Sequence, residues 1–514
     1  MKKILSSVFS RKFVFIILLL FQILFLLATV YVLKEKYYIV HVMLMILDAL
    51  LMVLIVNKKD PSAYKLSWII LMSFLPVFGG LTYVFYKLSQ RLPKAIEEKY
   101  REQAREYLEQ DAETFEELSA EYPDYSNIVQ YISEYGLYPV YNNTHAEYYP
   151  IGEMQFEVLK RELETAERFI FLEYFICSEG YMFETVAEIL IRKAAQGVDV
   201  RFMYDGIGTG MMNSSKIFRP LIEGGVKCRP FNPFRPFLSS IQNNRDHRKI
   251  IVIDGITAFT GGTNLADEYI NRKERFGHWK DTAVMIKGEA VWNFTVMFMQ
   301  LWDNIGILDE WDNIGKLNMY TSDTLTTASV INDGYVQPFS DSPLDNEPVG
   351  RTIYLDLIYN ARDSICITTP YLILDQEFID ALGFAAKKGV DVKIITPHIP
   401  DKWYVYMIAW NTYPKLIETG VKIYEYTPGF IHAKSCIADE NIAVVGTINF
   451  DFRSFYLHFE CAAVLYGCSV IKDIQSDFND TLELSQQITL DDCKKRPLRN
   501  KIAGSMLNMF APLL

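Results

Sequence analysis

The stretch DHRKIIVIDGITAFTGGTN, residues 246–264, is answered 185 residues later by IHAKSCIADENIAVVGTIN, residues 431–449. Each holds a histidine, a lysine two places on, an aspartate after four more residues, a glycine after six and an asparagine after two. The first set is His247, Lys249, Asp254, Gly261 and Asn264, and the second is His432, Lys434, Asp439, Gly446 and Asn449. One match of this kind is weak. Two with the same spacing point to a duplicated element.

The spacing has a physical reading. Alternate residues of a strand face the same way, so each histidine and its lysine share a face. The apolar runs 250–253 and 435–438 then carry the strand into a core. Asp254 and Asp439 complete the two elements and are grouped with the catalytic set, although their place just before turns points to stabilising the motif.

Outward from these elements the whole C-terminal part reads as two copies. AERFIFLEYFI (166–176) followed by FETVAEILIRKAAQGVDVRFMY (183–204) reads as a buried strand, an amphipathic helix and a second strand. The order returns in ARDSICITTPYLI (361–373) and FIDALGFAAKKGVDVKIIT (378–396). GVKCRPF (225–231) likewise matches GVKIYEY (420–426). Repeated strand–helix–strand units predict parallel sheets covered by helices. The polar, turn-rich segment around 325–350 separates the copies, which gives a first α/β domain over 141–330 and a second over 331–514, ending in an amphipathic helix.

A pseudo-two-fold between the copies would bring both histidine–lysine pairs to one cleft. Two imidazoles, two ammonium groups and the amides of Asn264 and Asn449 would then converge on one anion. A phosphodiester suits them: lysine and asparagine hold the non-bridging oxygens, one histidine attacks phosphorus, and the other protonates the leaving oxygen. Imidazole serves either role because its reference pKa is about 6.5. His41, His145, His278, His398 and His458 stand outside the duplicated pattern and read as ordinary structural histidines. No third ligand accompanies His247 or His432 at metal-site spacing, and the seven scattered cysteines form no CxxC pair, so neither a metal nor a disulfide framework is expected. No GxxxxGK[ST] loop is present, in keeping with chemistry that needs no nucleotide.

The N-terminus is of another kind. Half of the 514 residues are hydrophobic, and the excess sits in three apolar stretches: Phe13 to Leu33, Ile39 to Val56 and Leu66 to Tyr86. They predict a membrane anchor of two or three helices over 1–90, the third stretch being a span or a re-entrant segment about Pro76. Residues 91–140 open as a Lys/Arg/Glu-rich pattern read as a solvated helical connector. The net charge of -12 opposes nucleic acid as a partner, because phosphate backbones are held by lysine and arginine.

Two tandem HxKx4D elements resemble the phospholipase D superfamily. DHRKIIVIDGITAFTGGTNLADEY (246–269), PGFIHAKSCIADENIAVVGTINFDFRSFYLHFE (428–460), the membrane segment 60–86 and the closing helix 496–514 are similar to the bacterial cardiolipin synthases within it. The resemblance implies two phospholipase D-like α/β/α domains about a pseudo-two-fold, behind transmembrane helices, at the cell membrane. It implies phosphatidyl transfer between two phosphatidylglycerols through a phosphatidyl-histidine, with no cofactor; another phosphatidyltransferase or a hydrolase using the same two histidines is the alternative. It points to His247 as nucleophile and His432 as acid and base. It also suggests Asp281 and Glu460 as the carboxylates that orient the imidazoles, with Arg453, Ser454 and Glu173 as further supporting candidates. The aromatic segments 228–240 and 401–416 suit contact with lipid.

Overall fold

The duplicated segments fold as two sheets with the same spatial order. In the first, the strands run Thr144–Tyr149, Ala283–Gly288, Thr257–Gly261, Ile250–Ile253, Phe169–Tyr174, Asp199–Asp205 and Lys227–Phe231. In the second, they run Tyr335–Asp341, His458–Tyr466, Ile442–Gly446, Ser435–Ala438, Ser364–Thr368, Asp391–Pro397 and Lys422–Tyr426, with Ser485–Ile488 added at the edge. This computed structural model describes residues 38–88, 94–210, 214–233, 243–305, 320, 333–345 and 347–513.

The expectation of parallel sheets holds only in part. Phe169–Tyr174, Asp199–Asp205 and Lys227–Phe231 pair in parallel, as do Ser364–Thr368, Asp391–Pro397 and Lys422–Tyr426. The strand after each histidine motif instead turns back within a few residues, and so tight a return can only be antiparallel. Every remaining join among these strands is antiparallel.

Strand alternation explains how the copies meet. Ile251 and Ile253 pack with Phe183, Val186 and Leu190 of the helix Tyr181–Ala195 on the first domain's own side. Their neighbours Ile250 and Val252 point the other way, into a core that also takes in Ala258, Val284, Val444 and Ala462. Both sheets therefore contribute to one hydrophobic core, and residues 95–233 and 245–504 form one compact unit.

The segment read as a solvated connector is more than that. Helices Lys94–Tyr107, Ala112–Glu121 and Ser126–Tyr131 follow its charged pattern, but Leu108, Leu118, Ile128 and Val129 are buried in the same core. A few apolar residues at helical spacing are enough to dock such a segment.

A second, smaller unit contains the helices Tyr38–Val56, Ser62–Phe74 and Pro76–Leu88. The stretch Leu66 to Tyr86 is two helices, broken at Leu75, because the residue before a proline is disfavoured in the helical region. Each has 13 residues and is about 20 Å long. They fold back on each other: Trp68 packs on Tyr83 and Tyr86 at 5.3 and 5.4 Å, and a Cβ on Gly79 would stand 2.7 Å from the Met72 Cα. Asp48 is buried against Gly80, while Met43, Leu47, Leu50 and Leu54 of its helix are exposed. Among the described residues no helix is long and apolar enough to cross a membrane. Phe13 to Leu33 lies outside the described residues. The closing helix spans Leu498–Asn508, with Leu498, Ile502 and Met506 exposed at four-residue intervals.

Candidate active site

Two short strands exchanged between the copies build the site. Arg245–Asp246, leading into the first motif, pairs in parallel with His458–Phe459 of the second domain, and the His247 N–H donates to the Phe459 carbonyl at 2.9 Å. Gly429–Ile431, leading into the second motif, pairs in parallel with His278–Lys280 of the first, and the His432 N–H donates to the Lys280 carbonyl at 2.7 Å. One residue further along each partner strand stand Glu460 and Asp281. The register thus hands each histidine a carboxylate from the other copy.

The carboxylates meet the same ring nitrogen in both cases. His247 Nδ1 lies 2.9 Å from Glu460 Oε2, and His432 Nδ1 lies 2.7 Å from Asp281 Oδ2. With an Nδ1–H donating to each carboxylate, Nε2 is left as the basic, nucleophilic atom. Glu460 is itself fixed by the Thr447 hydroxyl and by Ser454 Oγ at 2.7 Å. Gly262, at the position equivalent to Thr447, leaves room for Asp281: a Cβ there would come within 2.0 Å of the Asp281 Oδ1.

The charges act as one group. Burial pushes the imidazoles down to about 3 for His247 and about 4 for His432, so both rings are neutral near pH 7. Burial also pushes Lys249 down to about 8 and Lys434 to about 7, and the repulsion of Lys249 adds to the fall at Lys434. Burial alone would raise the carboxyls of Glu460 and Asp281. The attraction of the groups beside them wins, His247 above all at Glu460 and His432 with Lys434 at Asp281, and both stay ionised. Each lysine Nζ donates to the carbonyl of its own motif's histidine. Lys249 acts electrostatically on His432 as well as on His247. The two motifs therefore occupy one electrostatic neighbourhood.

The other sequence candidates divide. Asp254 and Asp439 do not join this group. Five steps along an extended chain, about 16 Å, separate each from its lysine. Asp254 accepts from the backbone N–H groups of Glu167, Arg168 and Phe169, each at 2.8 Å. Asp439 does the same for Arg362, Asp363 and Ser364. Both take positive φ, 55° and 52°. They staple the motif hairpin to the next sheet strand. Asn264 is held by the Ile176 N–H and the Tyr269 hydroxyl, whereas Asn449 is buried with its side-chain oxygen unpartnered. Glu173 lies beneath the site, bonded to the buried guanidinium of Arg248, whose Nη1 also reaches Ser340 Oγ at 3.2 Å. Ser340 Oγ donates to the Glu460 carbonyl at 2.9 Å.

Several residues escaped sequence reasoning. Thr447 and Arg248 sit inside the motifs at positions where the copies differ, so the repeat offered no cue to them. His458 was read as structural, yet its ring lies 5.6 Å from that of His247, with Phe175 on another side at 5.1 Å. His432 instead sits among Tyr269, Trp279 and Phe430. A search by spacing could not find His458 beside His247, because the two come from different copies.

A family model described as cardiolipin synthase, PLD-like domain, matches residues 159–302 and 354–482, and one described as phospholipase D-nuclease N-terminal matches 46–86. An uncharacterised protein of Streptococcus mutans is 44% identical over 90% of this chain and 98% of its own. A cardiolipin synthase of Halalkalibacterium halodurans is 34% identical over 90% of this chain and 91% of its own. The crystal structure of a phosphatidylserine synthase from Haemophilus influenzae shares the fold, with a TM-score of 0.55 and 14% identity, covering 72% of this chain and 93% of that one.

Proposed function

Because the chain belongs to the cardiolipin synthase family of phospholipase D-like proteins, we propose that it transfers a phosphatidyl group from one phosphatidylglycerol to another, giving cardiolipin and glycerol. Nε2 of His247 attacks phosphorus; the bound phosphodiester anion and Asp281 favour the imidazolium of His432, which enters the step protonated on Nε2 and gives that proton to the departing glycerol. A hydroxyl of the second phosphatidylglycerol then loses its proton to His432 and attacks the phosphatidyl-histidine, which restores both rings. Lys249, Lys434 and the amide of Asn449 bear on the non-bridging oxygens, and Glu460 and Asp281 hold the imidazoles in the reactive tautomer. The observation that carries the reading is the crossed pairing of each motif histidine with a carboxylate of the other copy. The residues that do this chemistry are all supplied by the chain, and the step exchanges one phosphodiester for another.

The same reading places residues 1–90 in the cell membrane as a multi-pass anchor, with two domains meeting near 330. The exposed apolar residues of Tyr38–Val56 and the turned-back pair after it support an embedded unit. Alkaline carbonate extraction checks it: the full chain is expected to stay with the membrane pellet.

Purified protein given phosphatidylglycerol alone should produce cardiolipin and glycerol, and His247→Ala and His432→Ala should each abolish both products. Phosphatidic acid formed in place of cardiolipin would make the enzyme a hydrolase with the same machinery.

A further inference from the structure

We propose that His247, His458 and Glu460 form a binding site for a divalent cation of the zinc class, and that filling it stops the reaction. Among the described residues these three make the one cluster of metal-ligating side chains, with a donor atom from each lying within 4.8 Å of the others. Two imidazoles and a carboxylate are a common zinc donor set.

The distances suit the ion. Bond lengths near 2.0–2.2 Å put neighbouring ligand atoms of a tetrahedral site about 3.3 Å apart. His247 Nδ1 to Glu460 Oε1 is 3.0 Å and His458 Nδ1 to the same oxygen is 3.7 Å, which bracket that value. A second observation is independent of the clustering. Both ring nitrogens of His458 are buried and neither makes a hydrogen bond of normal length, the Glu460 Oε1 standing 3.7 Å from Nδ1. A buried polar group left so is unfavourable, and a ligand would relieve it. The outer contacts are also in place, since Thr447 and Ser454 hold the carboxylate that an ion would bind.

The other half-site is not equivalent. His432 and Asp281 have aromatic neighbours where His247 has His458, so one ion per chain is expected. Lys249 repels a cation, which makes the site weak enough to strip with a chelator. A bound ion would take the nitrogen and carboxylate that now hold His247 in its reactive tautomer, and so disable it. This inhibition rests on the function proposed above; the binding does not.

The test uses the full-length protein in non-ionic detergent, stripped with EDTA and titrated with Zn²⁺ against a chromogenic chelator. Wild type should bind one Zn²⁺ per chain, with transfer falling as the site fills and returning on addition of EDTA. His458→Asn and His458→Gln, each checked for folding by circular dichroism, should bind Zn²⁺ about tenfold or more weakly. His398→Asn, which removes the surface-facing histidine beside Glu425, should bind as wild type. Zn²⁺ bound by the His458 variants as tightly as by wild type, or no stoichiometric binding by wild type, would overturn the site. Binding that depends on His458 in a protein that makes no cardiolipin would keep the site and refute the function instead.

Discussion

Lys434 and Lys249, pushed down to about 7 and about 8 by burial, set the residue-scale behaviour. Their ammonium groups attract the phosphodiester only while protonated, so attraction is present at lower pH and is lost as pH rises through these values. The kcat/KM for transfer should therefore decline from about pH 7 to 9. Bound phosphate favours the charged lysines, so the decline in kcat should lie at higher pH. A kcat/KM that stays flat over this range would exclude the lysines as phosphate ligands. At the same scale, Glu460→Gln should lower kcat about a thousandfold with a smaller change in KM, as happens when an orienting carboxylate is lost from an imidazole; steady-state kinetics at fixed pH measures it. The histidines and lysines were legible because the sequence repeats them at one spacing. Thr447 and His458 were not: the first copy has Gly262 where the second has Thr447, and His458 matters through a contact with His247 that forms only when the copies meet.

At the scale of elements, the site depends on two staples and two exchanged strands. Asp254→Asn keeps one acceptor oxygen but loses the charge that gathers three backbone N–H groups. The variant should lose about 3 kcal/mol of stability, while the activity of its folded fraction stays within a few-fold of wild type. Chemical denaturation alongside an assay of the soluble protein would check both. A large loss of kcat without loss of stability would return Asp254 to the catalytic set. The repeat of strand, helix and strand could be read from apolar periodicity. The antiparallel return of the motif hairpins could not, because strand direction depends on loop length and partner rather than on periodicity. The exchanged strands were hidden for a like reason: Arg245–Asp246 and Gly429–Ile431 are too short to carry a pattern.

At the scale of the molecule, the two copies are bound into one functional object. Ile250, Val252, Val284, Val444 and Ala462 belong to one core, so residues 141–330 expressed alone should expose a broad apolar face and fail to fold cooperatively. A sharp thermal transition for that fragment would show the first domain to be autonomous. The duplication made a joint site foreseeable from sequence, but the fusion of cores did not follow from it, since each copy contains enough apolar residues for a core of its own. The crossed histidine–carboxylate pairs give this arrangement a countable consequence, because two motifs that serve one phosphate can bear only one phosphatidyl group at a time. The most direct measurement is the amount of phosphatidyl-enzyme trapped by rapid quench in SDS at mildly alkaline pH with ³²P-labelled phosphatidylglycerol, with the labelled peptide identified. At most one acid-labile phosphatidyl group per chain is expected, carried by His247 and absent from His247→Ala. Two groups per chain, one on each motif histidine, would contradict a single site.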